Sequence, residues 1–159
     1  MVLLTSSVPE EGKTTLAVNL AFAFSQVKKT LLVEADMRRP KFARVLEQER
    51  NRPGLSELVA EALPISECVY QVPDSNLYVL QSGRVPSNPL ELISSKGMEL
   101  AIERLREEFE MIVIDSPPVQ LVSDAVMLAQ LATSVLFVVR ADSTPYPVSR
   151  HALNRLHRA

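Results

Sequence analysis

The 159-residue sequence predicts a three-layer α/β fold, with a mainly parallel β-sheet covered by helices on both faces. Strand-like runs alternate with helix-like runs along the chain, as the crossovers of a parallel sheet require. Several strand-like runs are continuously apolar and rich in Val, Ile and Leu, which is typical of strands buried on both faces. A glycine-containing loop joins the first strand to the first helix, at the edge where parallel sheets bind their ligands.

The elements follow in order along the sequence. Strands are predicted at Val2–Thr5, Thr30–Glu34, Leu77–Gln81, Met111–Asp115 and Ser134–Arg140. Helices are predicted at Thr14–Val27, Lys41–Glu47, Leu55–Ala62, Ile65–Val69, Leu90–Phe109, Ser123–Leu131 and Val148–His157. Gly54 and Gly97 are expected at turns or helix caps. The first helix is apolar nearly all round, so we expect it to be buried.

Composition and charge are those of an ordinary globular domain. Hydrophobic residues make up 47% of the chain, and the formal net charge of −2 predicts no general attraction to nucleic acid or to anionic membranes. The single cysteine, Cys68, excludes an internal disulfide, and no membrane-spanning stretch or signal peptide is present in the sequence. We therefore expect a cytoplasmic protein. Because the chain opens on a strand and stops within a helix, we expect residues 1–159 to be one domain cut from a longer protein.

The loop after the first strand has the pattern of a phosphate-binding loop. Residues 5–15 read Thr-Ser-Ser-Val-Pro-Glu-Glu-Gly-Lys-Thr-Thr, with Ser7 where the usual motif has its first glycine. Backbone N–H groups of such a loop surround a phosphate, and the following helix adds the positive end of its dipole. Lys13 is expected to neutralise the β- and γ-phosphates, and the Thr14 hydroxyl to ligate Mg²⁺. The alternative is a plain strand–turn–helix junction with an exposed lysine.

Acidic residues follow two further strands at the same predicted edge. Glu34 and Asp36 leave the second strand, where they could bind Mg²⁺ or accept a proton from an attacking hydroxyl. Asp115 ends a strand of four apolar residues, which is the Walker B pattern for a magnesium ligand. The alternative for the first two acids is a solvated strand end, paired with Arg38 and Arg39.

A basic patch lies beside these acids and consists of Arg38, Arg39, Lys41 and Arg44. Such a patch could contact phosphate or recognise an acidic peptide. The alternative is a solvated helix start. Arg38 lies close enough to the predicted site for a functional role to be favoured.

Taken together, these motifs resemble the bacterial tyrosine kinases (BY-kinases), the cytoplasmic kinase modules of capsular and exopolysaccharide export systems. The resemblance is carried by Ser-Ser-x-Pro-x-Glu-Gly-Lys-Thr-Thr, then Ala-Asp-Met-Arg-Arg-Pro, then Ile-Val-Ile-Asp-Ser-Pro-Pro-Val. Further agreement lies at residues 54–58, 82–92, 123–125 and 138–140, so it covers almost the whole chain.

The resemblance implies an ATP-dependent protein-tyrosine kinase on a P-loop NTPase scaffold, which also binds the product ADP. It assigns nucleotide binding to Pro9, Glu10, Glu11, Gly12, Lys13, Thr14 and Thr15. It assigns Mg²⁺ to Thr14, Glu34 and Asp115. It assigns catalysis to Lys13, Glu34, Asp36 and Arg38, with Glu34 in the position of the family's base.

The implied partners are a tyrosine-containing tail of the same or a neighbouring subunit, a membrane activator or co-polymerase segment, and further copies of the chain at the inner face of the cell membrane. The chain departs from the family pattern at Glu10, which replaces a frequent glycine, and at Glu34, which replaces an aspartate. It has no C-terminal tyrosine cluster, since its tyrosines are Tyr70, Tyr78 and Tyr146.

Two other functions remain open at this point. Partition- or septum-type ATPases share the superfamily, but they carry a lysine where this chain has Val8, which argues against that function. A non-catalytic nucleotide-binding module that regulates polysaccharide chain length through a membrane partner is the other alternative. The substitutions at Glu10 and Glu34 keep that alternative open.

Overall fold

Residues 1–47 and 52–158 are described by the computed structural model, and within them six strands form one sheet. The strands are β1 (Val2–Ser6), β2 (Thr30–Glu34), β3 (Val69–Gln71), β4 (Leu77–Leu80), β5 (Met111–Asp115) and β6 (Ser134–Val138). The helices are α1 (Lys13–Ser25), α2 (Phe42–Val45), α3 (Leu55–Ala60), α4 (Ile65–Cys68), α5 (Pro89–Ile93), α6 (Lys96–Glu108), α7 (Asp124–Leu131) and α8 (Tyr146–His157).

The sheet has the strand order β3-β4-β2-β5-β1-β6, and only β3 runs antiparallel to its neighbour. Consecutive residues in the central strands face opposite sides of the sheet. Leu31 therefore packs in the core beneath α3, α5, α6 and α7, whereas Leu32 packs in the core beneath α1. Helices thus cover both faces, and the predicted three-layer, mainly parallel α/β fold is confirmed.

The register of the sheet sets the position of the acidic residues. Glu34 on β2 pairs with Asp115 on β5, so both carboxylates leave the sheet at the same edge. β1 lies on the other side of β5, and its end leads into the loop before α1. The three segments that carry the sequence motifs therefore meet at one edge of the sheet.

Two predictions about helices are wrong. The predicted helix Leu90–Phe109 is divided into α5 and α6, because the Ser95 hydroxyl accepts a hydrogen bond from the Met98 N–H (3.2 Å) and starts a new helix there. Gly97 consequently lies inside α6 and not at a cap. A Cβ atom at Gly97 would lie 2.9 Å from the Val59 carbonyl oxygen, so a close helix contact requires glycine there.

The first helix is not buried all round. Leu16 and Phe22 of α1 are 42% and 54% exposed, and the buried positions form one stripe that contains Ala17 and Ala21. An outer layer has only one face against the sheet, so the other face of α1 is open to solvent despite its apolar composition.

Strand β3 was not predicted. Within the described ranges, no helix combines the length and the apolarity needed to cross a membrane.

Candidate functional site

The loop before α1 leaves the start of the helix without a side-chain cap. Gly12 occupies the N-cap position in the left-handed conformation (φ 88°, ψ 10°), which glycine adopts without steric cost. The first helical hydrogen bond runs from the Leu16 N–H to the Gly12 carbonyl at 2.9 Å. First-turn N–H groups have no partner within a helix, so those of Lys13, Thr14 and Thr15, together with the helix dipole, suit an anion.

Lys13 is buried at this helix start and has acidic neighbours. Burial lowers the pKa of the Lys13 ammonium, and the positive charge of Lys41 lowers it further. Asp115 and Asp36 act in the opposite direction, because each favours the charged form of the lysine. A lysine held among two carboxylates without a direct ion pair is placed to exchange those neighbours for the oxygens of a phosphate.

Asp115 and Thr14 form the part of the site that fits a magnesium ion. The Thr14 hydroxyl donates to Asp115 Oδ2 at 2.7 Å, whereas Asp115 Oδ1 is buried and has no hydrogen-bond partner among the residues that the structure describes. Burial raises the pKa of Asp115 to about 6; hydrogen bonding to Thr14 and the charge of Lys13 oppose the rise, and Asp36 and Glu34 add to it. An unsatisfied carboxylate oxygen beside a threonine hydroxyl is what a hard cation would complete.

No group of three or more acidic, histidine or cysteine side chains in the described ranges could hold a metal ion by itself. This matches the behaviour of Mg²⁺, which typically binds through one or two protein oxygens and the phosphates of a nucleotide. The residues present therefore fit an ion that arrives with the nucleotide.

A cleft of about 390 Å³ opens in front of Lys13. Asp36 faces the same cleft; burial raises the pKa of its carboxyl group, although the Arg39 N–H donates to Asp36 Oδ1 at 3.1 Å and works against the rise. The remaining walls come from the loop before α1, the segment after β2 and the segment after β5, and they consist of Pro9, Glu10, Arg38, Arg39, Lys41, Pro117, Pro118, Leu121 and Val122.

Arg38 is held by an aspartate that the sequence analysis did not place in the site. Arg38 Nε and Nη2 donate to the two carboxylate oxygens of Asp124 at 2.9 and 3.1 Å. Asp124 is fully buried and is the first residue of α7, where an acid is favoured by the helix dipole. This bidentate pair fastens the segment after β2 to α7. An acid at the start of a predicted helix was the available signal.

Glu34 lies beside Asp115 in the sheet, and hydrogen bonds engage both of its carboxylate oxygens. Its Oε1 atom accepts hydrogen bonds from the N–H groups of Lys41 and Phe42, and its Oε2 atom accepts one from the Ser82 N–H at 3.1 Å. The side chain is only 2% exposed. Backbone N–H groups of two other segments therefore satisfy the carboxylate. This arrangement favours a structural role, in which Glu34 holds the two segments together, over the predicted role of metal ligand or base.

Glu11 is held by hydrogen bonds to two segments of the chain. Its carboxylate is buried and accepts hydrogen bonds from the Val8 N–H (2.8 Å), the Thr144 hydroxyl (2.5 Å) and the Arg140 N–H (3.3 Å). Burial alone would raise the pKa of Glu11, but these hydrogen bonds outweigh it and the pKa is lowered. The side chain thus connects the loop before α1 to the segment after β6.

Glu10 adopts a backbone conformation that suits glycine, with φ 66°. We expect Glu10→Gly to leave the fold intact or stabilise it by about 0.5–1 kcal/mol. The change releases the strain of the left-handed conformation, and the higher entropy that glycine gives the unfolded chain offsets part of this gain. We also expect ADP to bind a few-fold more tightly, since an exposed negative charge is removed from the cleft. Isothermal titration calorimetry and urea unfolding measure the two effects.

The matched control is Asp74→Gly, which removes another acid at positive φ (54°) in the turn before β4. It should leave ADP affinity unchanged. If Asp74→Gly tightened ADP binding as much as Glu10→Gly does, a local effect of Glu10 on the cleft would be excluded.

Comparison with known proteins identifies the family. The family described as "AAA domain" matches residues 10–154. The solved structure of the VpsO kinase domain is 41% identical in sequence, superimposes with a TM-score of 0.95, and is matched over 99% of this chain and 77% of that one. Tyrosine-protein kinase YwqD of Bacillus subtilis (strain 168) is 39% identical over 145 residues, which are 90% of this chain and 60% of the relative. The chain thus spans less than two thirds of that curated relative.

A more distant structure shares the fold. The septum site-determining protein MinD of Pyrococcus horikoshii, solved in complex with Mg-ADP, superimposes with a TM-score of 0.80 at 20% identity, over 99% of this chain and 64% of that one. Identity this low establishes only the P-loop NTPase fold. The matches to VpsO and YwqD confirm the predicted resemblance, and the chain belongs to the bacterial tyrosine kinase family.

Proposed function

We propose that residues 1–159 form one nucleotide-binding domain of an MgATP-dependent protein-tyrosine kinase that acts in capsule or exopolysaccharide synthesis and export. The observation that carries this proposal is the group of Lys13, Thr14 and Asp115, in which a buried lysine and an unsatisfied carboxylate oxygen lie beside an uncapped helix start. The family of the chain supplies the reaction class.

Each residue of this group has a distinct task in the proposed reaction. The N–H groups at the start of α1 and the ammonium of Lys13 bind the β- and γ-phosphates of ATP. Thr14 and Asp115 would hold Mg²⁺, which when bound neutralises phosphate charge and orients the terminal phosphoryl group. Glu11 keeps the loop in position through its contacts to Thr144 and Arg140.

Asp36, not Glu34, is the better candidate for the catalytic base. It faces the same cleft as Lys13, and its raised pKa brings its basicity closer to neutral pH. In transfer, the tyrosine oxygen bonds to the γ-phosphorus, the bond between that phosphorus and the β–γ bridging oxygen breaks, and the phenolic proton passes to a carboxylate oxygen of Asp36. Arg38 is anchored to Asp124 and acts by positioning this segment.

The acceptor tyrosine is proposed to come from a tail of the same or a neighbouring subunit. Tyr70 is partly buried, with a hydroxyl that is sealed from solvent, and the Tyr78 ring packs edge-on against Phe109 at 5.3 Å. Tyr146 is 73% exposed but begins α8. A membrane activator or co-polymerase segment, and self-assembly at the inner face of the membrane, complete the proposal, which the family of the chain supports.

The test is transfer from γ-labelled ATP to a tyrosine-rich peptide. We expect labelled phosphotyrosine with the wild-type chain and none with Lys13→Met, because methionine keeps the length of the side chain but cannot neutralise phosphate. Hydrolysis without transfer would instead favour an ATPase. Binding of ATP without turnover would favour a non-catalytic regulator.

A further inference from the structure

A second cleft of about 550 Å³ lies on the other side of the segment that follows β2. Pro40 lines this cleft, whereas its neighbour Lys41 lines the cleft of Lys13 and Asp36. One short stretch of chain therefore separates the two clefts. A ligand in the second cleft would lie next to the proposed site of phosphoryl transfer without occupying it.

Three guanidinium groups from different segments line the second cleft, and they belong to Arg44, Arg52 and Arg84. Arg84 is paired with the buried carboxylate of Glu57 at 3.3 Å. Within residues 1–47 and 52–158, neither Arg44 nor Arg52 has a carboxylate at ion-pair distance. Two of the three positive charges are therefore not compensated by acids of the described residues.

The acid in the wall of this cleft does not neutralise these arginines. Glu34 lines the cleft, but its carboxylate accepts hydrogen bonds from three backbone N–H groups. Within the described ranges it forms no ion pair with the three arginines. Arg52 is held by a different kind of contact, because its guanidinium lies over the Tyr70 ring, 4.9 Å from the ring centre. That contact fixes the side chain and leaves its N–H groups free to bind an anion.

A buried donor adds a second, independent observation. Gln81 lines the cleft and is only 4% exposed, and its Nε2 atom makes no hydrogen bond of normal geometry within residues 1–47 and 52–158. Buried polar groups are nearly always hydrogen-bonded, so a buried amide donor beside two uncompensated arginines favours an acceptor-rich, negatively charged ligand.

We infer that the arginine-lined cleft binds the acidic residues that flank the acceptor tyrosine of a protein substrate. Guanidinium groups bind carboxylates through paired hydrogen bonds, and the two uncompensated ones, Arg44 and Arg52, suit more than one carboxylate of a peptide. The apolar side chains of Ala43 and Val85 in the same walls suit contact with the aliphatic parts of the peptide's side chains. This inference rests on the proposed function, because it names the substrate class of the same kinase domain.

The test compares two fluorescein-labelled peptides, one with Glu and one with Gln on both sides of a single tyrosine. Binding is followed by fluorescence anisotropy at physiological salt and without ATP. We expect the wild-type chain to prefer the acidic peptide, and the double variant Arg44→Gln, Arg52→Gln to lose about tenfold in affinity for that peptide alone. The matched control, Arg150→Gln on the exposed surface of α8, should behave as wild type.

The single variant Arg44→Gln covers the case in which loss of the Arg52–Tyr70 contact disturbs folding, and it should show a smaller loss of the same selectivity. ADP affinity, measured in parallel, should not change in any of these variants. An unchanged preference for the acidic peptide in both variants would overturn the inference. Because the binding assay needs no phosphoryl transfer, a chain that failed as a kinase would still give a result for this cleft.

Discussion

Replacing Asp115 with asparagine is expected to stabilise the nucleotide-free protein at pH 8. Burial raises the pKa of Asp115 from 3.8 to about 6, so the folded protein binds this proton more tightly than the unfolded chain does. Ionised Asp115 therefore costs stability above about pH 6, by about 2–3 kcal/mol. The cost shrinks as the pH falls from 6 towards 3.8 and is absent below that. Asparagine can still accept the Thr14 hydrogen bond, and Lys13 keeps Asp36 as a counter-charge.

The same substitution should weaken the magnesium-dependent part of ADP binding by about 10- to 100-fold, the usual worth of a charge-assisted contact. Urea unfolding at a series of pH values follows the gain in stability, and calorimetric titration with and without Mg²⁺ follows the loss of affinity. The two effects are opposite in sign because the unsatisfied carboxylate destabilises the nucleotide-free protein, whereas in the complex it binds Mg²⁺.

Asp124→Asn is the matched control for this variant. Asp124 is also buried, but it is paired bidentately with Arg38 at the start of α7. Its neutralisation should lower stability at pH 8, because a partly buried arginine loses its partner. If both variants lowered stability to the same extent, the ionised Asp115 carboxylate would not be destabilising, contrary to what its burial and its unpaired oxygen indicate.

Much of the fold was predictable because its signals are local. The boundaries predicted for β2 and β5 match the structure, since a doubly buried strand is a continuous apolar run that ends at a charged residue. The missed features depend on tertiary partners. β3 spans only Val69–Gln71 and exists through its pairing with β4. The break at Ser95 interrupts a helical pattern that continues on both sides, so periodicity alone could not find it.

The site divides in the same way. Thr14 and Asp115 are 101 positions apart in sequence, yet both belong to recognisable motifs and meet because β1 and β5 are neighbours. The partners of Glu11 and Glu34 are mostly backbone N–H groups, which have no residue-type signature, and those of Arg140 and Ser82 are distant in sequence. A carboxylate next to a phosphate-binding motif therefore predicts a ligand contact, whereas its contacts to other segments have no signal in the sequence.

Glu34→Gln is expected to lower the free energy of unfolding by about 2–4 kcal/mol. An amide has one acceptor oxygen, so its NH₂ group would face a backbone N–H of Phe42 or Ser82 and leave that donor buried without a partner. Glu34→Asp should be intermediate, since the shorter side chain cannot reach both segments. Urea unfolding measures the loss, and hydrogen exchange of these two amides should speed up.

Asp36→Asn tests whether the catalytic base is Asp36, while Glu34 has a structural role. Asp36 carries a raised pKa through burial, so removing its charge should not destabilise the folded protein at neutral pH, whereas phosphotyrosine formation should fall by orders of magnitude. For Glu34→Gln we expect the reverse emphasis, a loss of stability with residual transfer in the fraction that stays folded. Glu107→Gln on the exposed face of α6 should change neither quantity. Full stability together with abolished transfer in Glu34→Gln would instead return the role of the base to Glu34.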